Sequence, residues 1–493
     1  MRSLLRAAGA VALSLCLAAS QPAAGPSSLP AAARWVAPAT RPNIVFILAD
    51  DLSVDLLQFM PNVRRLAADG TSFANYVVTD TLCCPSRSSI FTGKFPHNTG
   101  VFTNSAPDGG WAVFRKRGNE SDTFGTSLRR AGYRTAMLGK YMNGYSPASG
   151  HVPPGWDQWA VGGDAYRQYD YTLNENGVVR KYGQEYLTHV LTGKATAFIE
   201  MSAGDRTPFF VEIATFAPHS PFTPAPQDTG AFPGLRAPRG PAFDRLPIDA
   251  PPWLADRPPL GPDQLARIDD AYRRRAQSVL SLDRMIGTLR ETLTRTGTAD
   301  DTVLVFSSDN GFHLGEHRLT VGKQTAFETD VRVPLIVAGP GVRAGATVTE
   351  TAENVDLRPT FDDLVGTPSP PDVDGRSLAP LLRSGMVVSG TPVSGWRTAA
   401  LVEHRRPEFR PDDPDRQKVI PESYAALRTP EWTYVRYASG ALEFYDRRTD
   451  PHQLRNVAPA LSPARKAALA AALDALVACK GAVACEKAGI VRA

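Results

Sequence analysis

The chain is poor in several things, and each shortage removes a class of protein. Only five of its 493 residues are cysteine, too few for a disulfide-built scaffold. It lacks an excess of charge: 54 Lys and Arg face 50 Asp and Glu, a net +4, so nothing in the composition recommends a nucleic-acid partner. Beyond the N-terminal segment no apolar run is long enough to cross a membrane. The 40 glycines and 42 prolines follow no period, which excludes a fibre. A composition 43% hydrophobic and 21% charged is too apolar for a disordered chain. Length then suggests one large core domain plus a smaller one.

The N-terminus reads as a targeting segment. Arg2 and Arg6 lead into an apolar run over 4–19, with small residues at Ala18, Ala19 and Ser20. A basic start, a short apolar middle and a small-residue cleavage zone make a signal peptide over 1–24, and the Ala/Pro-rich 25–40 reads as a flexible lead-in. Cys16 as a lipid-anchor site is disfavoured by the bulky Leu15 before it. The expectation is an exported protein, free of the membrane once the signal is removed. Of the remaining cysteines, Cys479 and Cys485 close a short loop and make a plausible disulfide in an oxidising compartment. Cys83 and Cys84 are adjacent and pair poorly with each other.

Along the chain, apolar and β-branched runs repeatedly stop at polar residues able to do chemistry. The run 43–49 ends in Asp50 and Asp51, 134–139 in Lys140, 208–216 in Ala217-Pro218-His219, and 302–306 in Ser307-Ser308-Asp309-Asn310. A fifth, 334–338, ends in Gly339-Pro340. Such runs fit strands buried on both faces of a parallel sheet. With helical stretches at 61–68, 123–131 and 263–293 between them, they imply an α/β sandwich whose ligands sit beyond the carboxyl ends of its strands. The proline-rich 218–262 is too long for an ordinary connection and reads either as a loop over the site or as a plain excursion. After about 390 the pattern changes to short amphipathic pieces and a helix over 463–477, read as a C-terminal subdomain of antiparallel strands with a helix.

The most specific stretch is Leu82-Cys83-Cys84-Pro85-Ser86-Arg87-Ser88-Ser89-Ile90-Phe91-Thr92-Gly93. It resembles the signature of the type I sulfatases, Cys-x-Pro-Ser-Arg followed after four residues by Thr-Gly. The likeness runs from Arg41-Pro42-Asn43 to about Arg383, with an echo at Phe444-Tyr445-Asp446 and Asp450-Pro451. Gly139-Lys140-Tyr141-Met142-Asn143, Val152 to Trp156 and Ala217 to Pro221 make it most similar to the N-acetylglucosamine-6-sulfatases and related glycan sulfatases. The resemblance implies an alkaline-phosphatase-like α/β sandwich: a large, mostly parallel central sheet flanked by helices over 41–390, and a smaller C-terminal α+β subdomain with an antiparallel sheet over 391–493.

The same resemblance implies the chemistry. Cys83 is the residue that a formylglycine-generating enzyme oxidises to formylglycine, and Cys84 fills the free position. Asp50, Asp51, Asp309 and Asn310, with residue 83, match the family's metal ligands; three carboxylates and an amide oxygen form a hard, oxygen-only set that suits Ca2+, with Mg2+ second. Arg87, Lys140, His219 and Lys323 fall on catalytic positions. Hydrated residue 83 attacks sulfur, Asp309 accepts its proton, Arg87 and the metal favour its ionisation, Lys140 and Lys323 hold sulfate oxygens, and His219 donates a proton to the departing alcohol. Many sulfatases carry a histidine where this chain has Met142; Asn143, His313 or His317 are candidates to take its place and line the substrate pocket.

Plainer readings exist for each. Asp50 and Asp51 are surface acids, although an acidic pair ending a buried strand is costly without a counter-ion. Asp309-Asn310-Gly311 is a common turn, and Arg87, Lys140, Lys323 or His219 are solvated or structural. His97, His151, His189, His404 and His452 read as structural, with His97 nearest the signature. The expected substrate is a sulfated sugar such as N-acetylglucosamine 6-sulfate. An aryl sulfatase, a phosphate mono- or diester hydrolase, and a silent glycan-binding protein with unmodified Cys83 are the alternatives.

Overall fold

The structure, a computed structural model, describes residues 41–383, 395–406 and 419–491. The expected signal segment 1–24, the lead-in 25–40 and the boundary drawn at 390 lie outside the described residues.

Every residue of the run Asn43–Ala49 is buried, and the run forms a strand near the middle of a ten-stranded sheet. Across that sheet the order is Ala346–Val348, Thr71–Phe73, Leu335–Ala338, Thr302–Ser308, Asn43–Ala49, Phe209–Ala214, Arg134–Lys140, Gln158–Gly162, Tyr171–Glu175 and Val178–Tyr182. The five strands from Thr302–Ser308 to Gln158–Gly162 are mutually parallel. Their side chains alternate between two cores. Val45, Ile47, Val211, Ile213 and Phe306 enter one, covered by the helices Pro61–Asp69, Leu187–Gly204 and Pro262–Arg295. Ile44, Phe46, Leu48 and Phe210 enter the other, covered by Cys83–Thr92, Phe124–Arg130 and Leu357–Leu364. Burial on both faces explains why these strands read as unbroken apolar runs.

Register decides what the strands deliver. Ala49 pairs with Ser308, and Leu48 and Gly139 both pair with Ala214. The polar residues after these four strands therefore leave the sheet at one rim. Gly139 permits the close approach beside Lys140: its φ is 102°, and a Cβ there would lie 1.9 Å from the Ala214 carbonyl oxygen.

The fifth run departs from the parallel expectation. Leu335–Ala338 pairs antiparallel with both Thr302–Ser308 and Thr71–Phe73, so Gly339-Pro340 emerges at the opposite rim. A run buried on both faces carries no period that encodes strand direction, so its sequence could not distinguish the two.

A separate antiparallel sheet holds Ala400–His404, Tyr424–Arg428, Trp432–Tyr437 and Leu442–Asp446. Leu401, Leu427 and Tyr434 on one face pack with Leu469, Leu473 and Leu476 of the helix Pro463–Val477. Ala400, Val402, Ala426 and Val435 on the other pack with Val77 and Val331 of the larger body. Cys479 and Cys485 form the expected disulfide. The proline-rich stretch is tied down along its length: Phe222 lies against Phe312, Asp244 donates its amide to the Gly315 carbonyl, and Ile248 bridges to Arg455.

Candidate functional site

The helix carrying the signature begins at Cys83 and ends at Thr92. Pro85 fits within the first turn, where its missing N–H costs nothing. Gly93, at φ 68°, closes the helix in the left-handed conformation. All ten residues are buried, so Cys83 is held rigidly at the helix start. The sulfur lies 3.6 Å from Asp50 Oδ1, 4.0 Å from Asp51 Oδ1 and 2.8 Å from Lys323 Nζ. Cys84 points elsewhere: its sulfur contacts Met142 Sδ at 3.8 Å, and burial pushes its thiol up to about 12. Met142 is thus a packing partner of Cys84 and Ser88.

The strand-end residues converge on that sulfur. Asp50, Asp51, Cys83 and His219 each present a donor atom, all within 4.8 Å of one another. Asp309 joins through the backbone and through Arg87: its Oδ1 accepts the Asp51 amide at 3.0 Å and its Oδ2 accepts Arg87 Nε at 2.8 Å. Asn310 Nδ2 donates to Asp51 Oδ1 at 2.7 Å, while Asn310 Oδ1 is buried without a hydrogen-bond partner. Asp51 adopts φ 64°, a left-handed conformation that aspartate tolerates better than most residues.

Three cations balance the three carboxylates. Arg87 reaches Asp309 and also donates Nη1 to the Lys140 carbonyl at 2.9 Å. Lys140 Nζ lies 2.7 Å from Asp50 Oδ2, and Lys323 Nζ 2.7 Å from Asp51 Oδ1. Burial raises the Asp50 carboxyl to about 6 despite Lys140, with Asp309 adding repulsion. Burial also opposes ionisation of Asp309, but Arg87, Lys140 and Lys323 together hold it well below the usual carboxylate range. The Ser220 carbonyl accepts a hydrogen bond from His219 Nδ1 at 2.8 Å, which leaves Nε2 facing Asp51 Oδ2 at 3.6 Å. Tyr166 packs on His219 with ring centroids 4.5 Å apart and lies under the Lys140 ammonium at 5.1 Å.

The three remaining candidates lie farther out. Asn143 Nδ2 donates to the Tyr166 hydroxyl at 3.4 Å, one layer behind Lys140. His313 Nδ1 pairs with Asp330 at 2.9 Å. His317 stacks on Phe327 at 3.7 Å and lines a cavity of about 510 Å³ whose walls include none of the cluster residues.

Sequence reasoning missed several buried groups. Arg275 donates Nη2 to the Asp51 carbonyl at 2.6 Å and lies 4.0 Å over the Phe312 ring. Its position on the buried stripe Ala271, Tyr272, Ala276 and Val279 of a long helix was the available signal. Ser308, read from the sequence only as a strand-end residue, accepts the Leu52 amide on Oγ at 2.8 Å. Glu212, beside Phe46 in the sheet, has both carboxylate oxygens buried without a partner, and burial pushes it to about 8.

Comparison with known proteins gives this geometry a family. Residues 42–367 match the sulfatase family model, and residues 315–475 match a model described as N-sulphoglucosamine sulphohydrolase, C-terminal. The N-acetylglucosamine-6-sulfatase of Capra hircus is 34% identical over 461 residues, covering 86% of this chain and 81% of that protein. A solved structure of a protein in complex with its substrate D-glucosamine-2-N,6-O-disulfate is 26% identical with a TM-score of 0.73, covering 88% of this chain and 97% of that one. The phosphonate monoester hydrolase of Silicibacter pomeroyi is 26% identical with a TM-score of 0.66, covering 87% and 93%. With the family model matched over residues 42–367 and a relative 34% identical across most of both chains, the chain belongs to the sulfatase family and is a sulfatase.

Proposed function

We propose that this sulfatase hydrolyses the 6-sulfate ester of an amino sugar of the N-acetylglucosamine type, using formylglycine made from Cys83 by a formylglycine-generating enzyme, and calcium. The observation that carries the reading is the meeting of Asp50, Asp51 and Lys323 at the Cys83 sulfur, set beside relatives that act on sulfated glucosamine.

The residues fit a hard divalent cation. Asp50, Asp51, Asp309 and Asn310 offer only oxygen donors, and Asn310 Oδ1 is a buried acceptor with no hydrogen-bond partner among the described residues. These four side chains, with residue 83, would hold the ion. Bound there, it supplies Lewis acidity toward the nucleophile and the sulfate oxygens.

The chain's own groups divide the remaining work. Formylglycine, once hydrated, offers a hydroxyl as nucleophile at the start of the Cys83–Thr92 helix. Arg87, locked between Asp309 and the Lys140 carbonyl, keeps positive charge beside residue 83 and favours its ionised form. Asp309, which accepts Arg87 Nε at 2.8 Å, is the carboxylate assigned to accept the proton. Lys140 and Lys323 bring two ammonium groups to the place where charge grows on the sulfate oxygens. His219 carries its proton for the leaving alcohol on Nε2, the nitrogen that faces Asp51 while Nδ1 is held by the Ser220 carbonyl.

Peptide mass spectrometry across 81–94 tests the reading: conversion of Cys83 to an aldehyde, with release of sulfate from N-acetylglucosamine 6-sulfate, is expected. An unconverted thiol would point to a silent glycan-binding protein. The phosphonate hydrolase neighbour supports a second reading, hydrolysis of phosphate or phosphonate monoesters at the same site, which parallel assays on aryl sulfate and aryl phosphate separate. The basic and apolar N-terminus supports export; among the described residues no helix is long and apolar enough to cross a membrane.

A further inference from the structure

Just before the signature helix lies a second polar cluster that the reaction leaves unused. Asp80 is fully buried, and neither of its carboxylate oxygens has a hydrogen-bond partner. Burial and the neighbouring Glu403 disfavour its charged form, and the amides of Leu82 and Thr81, with Lys323, only partly offset them. His404, on the edge strand of the C-terminal sheet, is 3% exposed with both ring nitrogens unpartnered. Its Nδ1 stands 3.8 Å from Asp80 Oδ1, too far to bond. Gln324, 0% exposed, has neither side-chain atom satisfied, and its carbonyl accepts the hydroxyl of Tyr424, whose ring lies 5.1 Å from His404. Buried groups of this kind are nearly always paired in a folded protein. An acid, an imidazole and an amide left open together are a set of donors and acceptors awaiting a polar ligand.

Their position says which ligand. Asp80 lies three residues before Cys83 and feels the charge of Lys323, and Gln324 directly follows Lys323, whose ammonium touches the sulfur. On the outer side, His404 and Tyr424 line a cavity of about 270 Å³ walled also by Phe102 and Arg405. We propose that Asp80, Gln324 and His404 form the subsite that reads the ring hydroxyls of the sugar whose sulfate lies at Cys83. The inference rests on the amino-sugar sulfatase reading and adds the residues that recognise the sugar. A carboxylate and an amide beside an imidazole match the alternating donors and acceptors of neighbouring ring hydroxyls, and an apolar substrate would leave all three unpaired.

The test compares N-acetylglucosamine 6-sulfate with 4-nitrophenyl sulfate, an ester without sugar hydroxyls, on full-length converted enzyme. For Asp80→Ala and His404→Ala the ratio of kcat/KM on the sugar to that on the aryl ester is expected to fall about 100-fold. Equal losses on both esters, or an unmoved ratio, overturn the proposal. The isosteric Asp80→Asn serves if Asp80→Ala fails to fold, with thermal midpoint and Cys83 conversion as controls. Calorimetric binding of N-acetylglucosamine 6-sulfate to Cys83→Ala separates the two levels. Affinity that drops at least tenfold on adding Asp80→Asn sustains the subsite even if the wild type releases no sulfate, in which case only the hydrolytic reading falls. Affinity indifferent to Asp80→Asn and His404→Ala, or no binding at all, overturns the subsite.

Discussion

The Lys323 ammonium lies 2.8 Å from the Cys83 sulfur and 2.7 Å from Asp51 Oδ1, so a single cation touches both the reacting position and a proposed metal ligand. Residues 240 positions apart meet in this contact, and both side chains are buried.

Replacing that cation should be felt in turnover first. Lys323→Met is expected to lower kcat on an aryl sulfate by about 100-fold or more, the usual loss for a buried group that stabilises transition-state charge. Lys323→Arg should restore only part, because a planar guanidinium cannot take the place of a compact ammonium. Steady-state kinetics on protein with verified Cys83 conversion measures both.

Chelation should remove activity and stability together. With EDTA, sulfate release is expected to stop and the thermal midpoint to drop; added Ca2+ restores both, since an ion bound at 100 times its Kd contributes about 2.7 kcal/mol. Asn310→Ala should need more Ca2+ for the same midpoint. A midpoint indifferent to EDTA in the wild type would count against the metal assignment.

Glu212 should be a burden on the fold. Burial holds its carboxyl near 8, above the 4.5 of an unfolded chain, so folding loses stability as pH rises from about 4.5 toward 8. Glu212→Met, similar in volume, is expected to raise stability by about 1–3 kcal/mol near pH 8 and by less near pH 5. Urea unfolding at the two pH values gives the comparison.

His97 should show the opposite slope. Its ring nitrogens face Glu403 at 2.7 Å and the Cys479 carbonyl at 2.8 Å, two acceptors that both call for N–H. Burial lowers the imidazole, but Glu403 and that carbonyl outweigh it and raise it above 6.5. The stabilisation is therefore complete below pH 6.5 and is lost as pH climbs through the raised value. His97→Gln should flatten the thermal midpoint against pH over that window.

How much of this was legible in the sequence follows from distance along the chain. Asp50-Asp51 and Asp309-Asn310 could be read because each pair directly ends a strand whose apolar run is visible, and parallel register then forces neighbours. Cys83 and Arg87 became visible through the likeness of Leu82–Gly93 to the sulfatase signature. The antiparallel direction of Leu335–Ala338 was hidden because a strand buried on both faces reads alike either way. Arg275, Asp80 and His404 were hidden for another reason: each acquires meaning from a partner on a different element, and no local pattern marks it. His313 and His317 show the same, since their partners Asp330 and Phe327 were not marked by nearness in sequence to Asn310.

The edge strand Ala400–His404 is stitched to the approach of the signature helix: the Glu403 amide donates to the Thr79 carbonyl at 2.8 Å, and Val402 packs with Val77. Three residues separate Thr79 of that seam from Cys83. Cutting the chain after the large sheet would therefore strip the support from the nucleophile's own doorstep and bare Val77 and Val331 to water. No minimal catalytic fragment can be trimmed from this enzyme, and the two sheets should melt as one.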